Sequence, residues 1–293
     1  MPELPEVETV RRGLAPVMEG AILEKIELRR PDLRAPFPPR FASRLRGRRV
    51  VGLGRRAKYL LADLDDNNVL VMHLGMSGSF RIEMAAAVSI TDAHNRTRVE
   101  RPAHDHVVFH LSSGAKVIFN DPRRFGLMDL VPRDDLEASR HFRAMGIEPL
   151  GNSFDGAVLA KLFAGRTTPI KAALMDQRFI AGLGNIYVCE ALWLARVSPL
   201  RQAGSLTTKT GRPKAAADRL ATAIREVLAA AIAAGGSSLR DHRQVDGDLG
   251  YFQHEFAVYD REGEPCLLSG CRGTISRTTQ SGRSTFHCTV CQR

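Results

Sequence analysis

The residues with the most chemical potential stand at the two ends of the sequence. At one end is Met1-Pro2-Glu3-Leu4-Pro5-Glu6. Met1 precedes a small residue, so its removal is expected, which leaves Pro2 with a free secondary amine. An α-amino group titrates near ~8, against ~10.4 for lysine, so more of it is an unprotonated nucleophile at neutral pH. Attack on an electrophilic carbon, such as that of a sugar, would give an iminium ion that is cationic without a further proton. That is one form of covalent amine catalysis. Glu3 stands directly beside the amine and Glu6 three residues on. The same residues also suit an ordinary helix start, with proline in the first turn and acids near its positive end. The hexapeptide alone leaves both readings open.

At the other end, Cys266, Cys271, Cys288 and Cys291 crowd into the last 28 residues as C-x4-C, a sixteen-residue gap, then C-x2-C. In a chain without a secretory leader, such clustering reads as metal binding rather than disulfides. Paired thiolates separated by a short hairpin match a tetrahedral structural zinc site. Arg277, Arg283 and His287 lie between the pairs, so the module presents cations and reads as a zinc ribbon used on DNA. The fifth cysteine, Cys189, lies among apolar helical neighbours and reads as buried.

The elements that must position these ends divide into a strand-rich half and a helical half. From Pro5, the residues Val7, Val10, Leu14 and Val17 recur at helical spacing, with Gly20 as the stop. Short apolar runs follow at Ile22–Leu28, Arg49–Leu53, Tyr59–Leu64, Val69–His73, Val107–Leu111 and Lys116–Phe119, separated by polar turns as in a β-sandwich or barrel. The stretch Glu83–Pro102 lacks periodicity and reads as a surface loop. Around Val131–Leu150 the strand pattern stops. Helices are expected at Phe154–Ala164, Pro169–Met175, Ile186–Ala195 and Ala215–Ala234. Next, Ser237–Gly250 reads as a flexible polar loop, and Phe252–Tyr259 as a strand leading to the cysteines.

Several turns carry residues that packing alone would not select. Arg55-Arg56-Ala57-Lys58 places three cations at one rim. His73-Leu74-Gly75-Met76-Ser77-Gly78 sets a methionine on a glycine-flanked turn, and Asp121-Pro122-Arg123-Arg124-Phe125-Gly126 sets an aromatic among cations. Exposed Met76 and Phe125 with arginine nearby suit wedging into a base stack. His104-Asp105-His106 resembles a metal pair without a third ligand, and phosphate or turn hydrogen bonds suit it better. Gly182-Leu183-Gly184-Asn185 opens a helix and could bind phosphate through its N–H groups.

Composition agrees with this outline. The 293 residues suffice for two domains, and 44% hydrophobic content allows a core in each. A net charge of +10 favours a polyanionic partner. No run of 18 apolar residues argues for a membrane span, and a soluble, cytoplasmic protein is expected.

Taken together, Pro2-Glu3-Leu4-Pro5-Glu6-Val7-Glu8-Thr9, Arg56-Ala57-Lys58-Tyr59, the Met76 and Phe125 turns, Gly184-Asn185-Ile186-Tyr187 and the cysteine module resemble bacterial formamidopyrimidine-DNA glycosylase. These motifs run in order over nearly the whole chain. The resemblance implies an α+β multidomain fold. An N-terminal β-sandwich with the Pro-bearing helix would occupy residues 1–131, a linker 132–150, a helix–two-turn–helix domain 151–255 and a zinc finger 256–293. It implies excision of oxidised purines such as 8-oxoguanine from double-stranded DNA, followed by cutting of the abasic site. The chain would act as a monomer carrying one structural Zn2+ on Cys266, Cys271, Cys288 and Cys291.

By the same resemblance, Pro2 is the Schiff-base nucleophile and Glu3 the general acid at the sugar. Lys58 donates a proton for the first elimination and Arg283 for the second. Asn185 and Arg283 grip phosphates flanking the lesion, while His104 and Arg123 contact DNA. Met76, Arg123 and Phe125 fill the gap left by the flipped nucleotide, since the glycosidic bond is inaccessible inside a stacked duplex. The polar loop Ser237–Gly250 corresponds to a lesion-recognition loop.

Two features depart from the family pattern. The first cysteine pair is C-x4-C rather than C-x2-C. Thr167 and Thr168 replace more basic residues, leaving Arg166 and Lys171 to cover the phosphates. A sister group acting on oxidised pyrimidines shares Pro2, Glu3 and the finger, but Leu4 and the Arg123-Arg124-Phe125 wedge favour the purine branch. A binding-only protein would be expected to lack the Pro2 amine or Glu3.

Overall fold

The computed structural model describes residues 2–84, 102–237 and 250–293. It resolves into two units, one of Met1–Pro2, Glu6–Phe142 and Ser237–Gly250, the other of Glu3–Pro5, Arg143–Gly236 and Tyr251–Arg293. Each is built from its own elements.

The first helix, α1 (Leu4–Met18), places Val7, Val10, Leu14 and Met18 on one face, all essentially inaccessible to solvent. The sequence predicts the first three of these; the fourth is Met18 and not Val17, which is only partly buried. The strands of the first unit form two four-stranded antiparallel sheets. One has the order β1 (Leu23–Leu28), β6 (Asp105–Leu111), β7 (Lys116–Asn120), β5 (Ser79–Glu83). The other has the order β2 (Val50–Arg56), β3 (Tyr59–Leu64), β4 (Asn68–His73), β8 (Leu127–Pro132). Alternate residues of each sheet, such as Phe109 and Phe119 in one and Leu60 and Leu70 in the other, enter a single core together with the α1 face. The arrangement is the expected sandwich. A short helix, α2 (Phe41–Leu45), anchors itself through its two terminal apolar residues.

Strands β5 and β8 escape a pattern reading because each is interrupted by charge. Arg81 of β5 and Asp129 of β8 meet partners outside their strands: Arg81 pairs with Asp105, and Asp129 with His141 and Arg140. The expected loop at 83–102 and the expected flexible loop at 237–250 lie largely outside the described residues.

In the second unit, α3 (Gly156–Phe163) begins at Asp155, whose carboxylate accepts the Val158 N–H at 2.8 Å, a standard N-cap. The other helices are α4 (Ile170–Met175), α5 (Asn185–Leu194) and α6 (Ala215–Ala233). Helix α5 is buried almost all round, as a central helix must be. Gly156 lets α3 approach α6 closely, because a Cβ there would lie 2.1 Å from the Asp218 carboxylate.

The segment Phe252–Tyr259 is not a strand. It turns through a 3-10 helix at Phe252–Glu255. The N–H groups of Ala257, Val258 and Tyr259 then donate to the Glu190 carboxylate at 2.9, 3.1 and 2.8 Å. A side chain of α5 replaces the ladder partner that the apolar alternation suggested. The chain ends in a hairpin of β9 (Ile275–Gln280) and β10 (Arg283–Cys288). Its turn residues Ser281 and Gly282 both have positive φ, as a tight two-residue hairpin requires.

Candidate functional site

In the first unit, the two turns carrying Met76 and Phe125 are built as one object. Asp121, completely buried, is the centre. One of its carboxylate oxygens accepts the Ser77 hydroxyl at 2.6 Å and the Arg123 N–H at 3.3 Å; the other accepts the Gly126 N–H at 2.7 Å. Gly75, at φ 66°, lies so close to the other turn that a Cβ would stand 2.3 Å from the Phe125 carbonyl carbon. Both turns are therefore fixed back to back, and Met76 and Phe125 are left 37% and 42% exposed. The Arg123 guanidinium lies 5.0 Å from the Phe125 ring centre.

His73 supports the same turn, its Nδ1 accepting the Gly75 N–H at 2.9 Å. Burial, reinforced by the charges of Lys58 and Arg34, pushes its pKa down to about 4. Arg34 is exposed and is tied to this region by its own N–H, which donates to the Gly126 carbonyl at 3.0 Å. Sequence reasoning did not single out Asp121, Ser77, His73 or Arg34 as supports. The only available signal was an Asp-Pro step five residues before a glycine.

Lys58 is mostly buried at the β2–β3 turn. Ala57 before it has φ 53°, and its carbonyl accepts from the Arg55 guanidinium at 2.8 Å. In the His104-Asp105-His106 run, two members have structural tasks. Asp105 accepts from Arg81 at 2.6 Å and from Asn120 at 2.8 Å, while His106 Nε2 contacts the Asp121 carbonyl at 2.9 Å. His104 is half-buried in the 3-10 turn Pro102–His104, and its carbonyl accepts the Asp121 N–H. Glu6, also buried, accepts both the N–H and the hydroxyl of Ser237, at 2.8 and 3.1 Å.

In the second unit, Gly182 and Gly184 are shaped around the N-terminal segment. The Leu4 N–H donates to the Gly182 carbonyl at 3.2 Å, and the Ile186 N–H donates to Glu3 Oε1 at 3.2 Å. A Cβ on Gly184 would stand 2.2 Å from the Glu3 carboxyl carbon. The anion at the start of α5 is thus the protein's own Glu3, facing the positive end of the helix. One N–H at the glycine turn, that of Ile186, is already taken by Glu3.

Asn185 and Lys171 both hold the β9–β10 hairpin. The Asn185 amide and the Lys171 ammonium donate to the Ser284 carbonyl at 3.0 and 2.9 Å, and Lys171 also donates to the Thr285 hydroxyl at 2.7 Å. Lys171 is only 1% exposed. Burial lowers its pKa, and the charge of Arg283 adds to that effect. Arg283 itself is exposed at the start of β10. Arg166 is exposed too, with its guanidinium 4.1 Å from the Phe179 ring centre.

The four clustered cysteines place their sulfur atoms within 4.8 Å of one another. Cys266 and Cys291 are 3.7 Å apart, as are Cys271 and Cys288. Gly273 permits this, since a Cβ there would meet the Cys288 sulfur at 2.4 Å. The Trp193 indole N–H donates to the Cys266 sulfur at 3.3 Å. Cys189 is separate and buried, its thiol pushed up to about 11 by burial.

Comparison with known proteins supplies the family. The family model described as the formamidopyrimidine-DNA glycosylase N-terminal domain matches residues 1–128, and the H2TH domain model of the same family matches 145–243. A formamidopyrimidine-DNA glycosylase of Methylocella silvestris is 64% identical over 293 residues, covering all of both chains. One from Rhizobium etli is 60% identical over 296, again with full coverage. The chain belongs to the formamidopyrimidine-DNA glycosylase family.

Solved structures agree. The Lactococcus lactis Fpg in complex with DNA containing an abasic site matches with a TM-score of 0.82 at 33% identity over the whole of both chains. The MutM (Fpg) protein from Thermus thermophilus matches with 0.81 at 40% identity, covering 99% of this chain and 98% of that one. The chain is therefore a DNA glycosylase of base-excision repair, of a family with glycosylase and lyase activity. Among the described residues, no helix is long and apolar enough to cross a membrane.

In the light of the family, the first unit holds Pro2, Lys58, Met76, His104, Arg123 and Phe125, and the second holds Glu3, Arg166, Lys171, Asn185, Arg283 and the cysteines. Pro2 is buried and immediately precedes α1.

Proposed function

We propose that this glycosylase excises oxidised purines, 8-oxoguanine and formamidopyrimidines, through a Pro2 Schiff base and then cleaves the abasic site by β,δ-elimination. The supporting observation is the N-terminal pair. Pro2 is buried, and the next residue, Glu3, has its carboxylate fixed on the first turn of α5 by the Ile186 N–H and shaped by Gly184. The Pro2 nitrogen lone pair attacks the anomeric carbon, and the bond to the damaged base breaks with its electron pair leaving on the base. Glu3 supplies the proton that opens the sugar ring, and the nitrogen then forms the iminium. From the iminium, loss of a sugar C–H proton to solvent expels each phosphate in turn with its C–O electron pair, Lys58 and Arg283 acting as proton donors, and water then hydrolyses the iminium to free Pro2. His104, Arg123, Arg166, Asn185 and Arg283 contact the DNA, and Met76, Arg123 and Phe125 fill the emptied stack. Lys171 acts beneath the hairpin, holding Ser284 beside Arg283.

The cysteine cluster fits zinc. A tetrahedron with metal–sulfur bonds of ~2.3 Å has edges of ~3.8 Å, close to the two 3.7 Å separations. The C-x4-C spacing is compatible because Gly270, at φ 76°, turns the chain back before Cys271. Bound there, the ion would order the hairpin and do no chemistry. The domain boundaries of 131, 150 and 255, the monomeric state and action in the bacterial cytoplasm complete the reading.

A second substrate class has one observation in its favour. A Lactococcus lactis Fpg, 33% identical, is described in complex with DNA containing an oxidised pyrimidine. Borohydride trapping on matched duplexes carrying 8-oxoguanine or an oxidised pyrimidine separates the two. Faster trapping on 8-oxoguanine supports the purine reading, preference for the pyrimidine replaces it with the sister activity, and no trapping on either removes the Schiff-base mechanism.

A further inference from the structure

Many arginines of the first unit are spent on acids: Arg11 and Arg12 contact Glu8, and Arg29 and Arg81 contact Asp105. The neighbourhood of α2 is different. Five arginines and no acid lie between positions 40 and 49. Arg48 meets Asp66 at 3.2 Å, and Arg49 donates to the Gly20 carbonyl. Arg40, Arg44 and Arg46 have no acidic partner among the described residues.

The local structure concentrates these three charges instead of relieving them. Phe41 and Leu45 bury themselves in the core with Ala42 packed beside them, while Arg40 and Arg46 at the two ends are exposed and Arg44 is half-buried. Arg44 follows Arg40 by four residues, its N–H donating to the Arg40 carbonyl at 2.9 Å. Arg40 itself lies just outside the helix, so the two like charges are neighbours at its entrance. Arg40 also has φ 56°, a conformation that glycine or asparagine would adopt with less strain. The Ser43 hydroxyl holds the Arg40 turn by donating to the Arg40 carbonyl at 2.9 Å, but among the described residues no acid neutralises the three charges. An external polyanion would neutralise them.

The patch stands away from Pro2. Gly47 donates to the Leu23 carbonyl and Gly20 to the Val50 carbonyl, so the α2 turn adjoins the C-terminal end of α1. Fifteen residues of helix, at ~1.5 Å each, separate that end from Pro2 by roughly 22 Å. We propose that Arg40, Arg44 and Arg46 form a second phosphate-binding surface that takes a second segment of duplex DNA while the repair site is occupied. Charge complementarity names the occupant: DNA is the family's polyanion, and its charge density along the axis exceeds that of any protein surface. Such a surface would let the enzyme pass from one duplex to another without first becoming free.

The inference rests on the glycosylase reading, and the test keeps the two apart. The full-length protein is saturated with a short unlabelled duplex carrying an abasic-site analogue, and an undamaged labelled duplex is titrated in. The wild type is expected to bind the second duplex with an affinity that falls steeply with salt. The variant carrying Arg40→Gln, Arg44→Gln and Arg46→Gln should lose about tenfold or more in that second affinity. The same three positions as lysine should largely retain it. Binding of the first duplex, and cleavage of a separate duplex carrying 8-oxoguanine, should be unchanged in both variants. Absence of a second duplex on the wild type, or equal second affinity in the glutamine variant, overturns the proposal. Failure of the first duplex to bind, or of the 8-oxoguanine duplex to be cut, overturns the glycosylase reading instead.

Discussion

At the scale of single residues, two side chains carry opposite kinds of information. The importance of Pro2 lies in its nitrogen, which becomes a free amine only on removal of Met1. Pro2→Gly leaves a primary amine on a more flexible chain. We expect base excision and borohydride trapping to fall by at least an order of magnitude, while affinity for an abasic-site analogue is largely kept. Trapping at the wild-type rate would remove the nucleophile assignment.

His73 is informative through what it cannot do. Its Nδ1 accepts the Gly75 N–H, so protonation at that nitrogen breaks the bond that holds the Met76 turn. Burial brings its pKa from 6.5 to about 4. The folded protein therefore binds this proton less readily than the unfolded chain does. The stability involved is complete above ~6.5 and is lost as pH falls from there toward 4. At ~1.4 kcal/mol per unit, discounted for partial exposure, the loss is on the order of 2 kcal/mol. Urea melts at pH 7 and pH 5 should show it, and His73→Gln should flatten the difference. An equal pH dependence in the variant would place the acid sensitivity elsewhere.

At the scale of elements, the terminal hairpin is the one least able to fold by burial. Its apolar contribution comes down to Ile275 and Phe286, packed with Cys266, Cys288, Cys189 and Val258. Metal binding should supply most of its folding free energy. Cys288→Ser should release zinc, disorder the hairpin and abolish tight DNA binding, while the β-sheet unit keeps its secondary structure. Elemental analysis, circular dichroism and a DNA titration check the three outcomes together. A metal-free wild type that cuts damaged DNA at full rate would refute the zinc assignment. The Met76 and Phe125 turns show the contrasting strategy. They need no metal because a buried carboxylate, Asp121, gathers their donors, and a group so placed costs about 1–3 kcal/mol when one partner is removed.

At the scale of the whole molecule, the net charge of +10 sets a salt dependence that individual contacts then divide. Arg283→Ala should flatten the slope of log affinity against log salt by about one unit for one lost phosphate contact. An unchanged slope would move Arg283 off the DNA.

Residue types and short spacings alone sufficed for the family and for the clustering of Cys266, Cys271, Cys288 and Cys291. The sequence also located α1, six of the strands and helices α3 to α6, whose apolar periods survive in a single chain. Tertiary structure decided the rest. Only packing shows that Gly184 makes room for the Glu3 carboxylate. Only packing shows that the Lys171 ammonium is buried under the hairpin, and that Glu190 replaces a strand partner for residues 257–259. In each case a buried polar group must find a partner, and that partner lies tens of residues away or more, where no local pattern reaches.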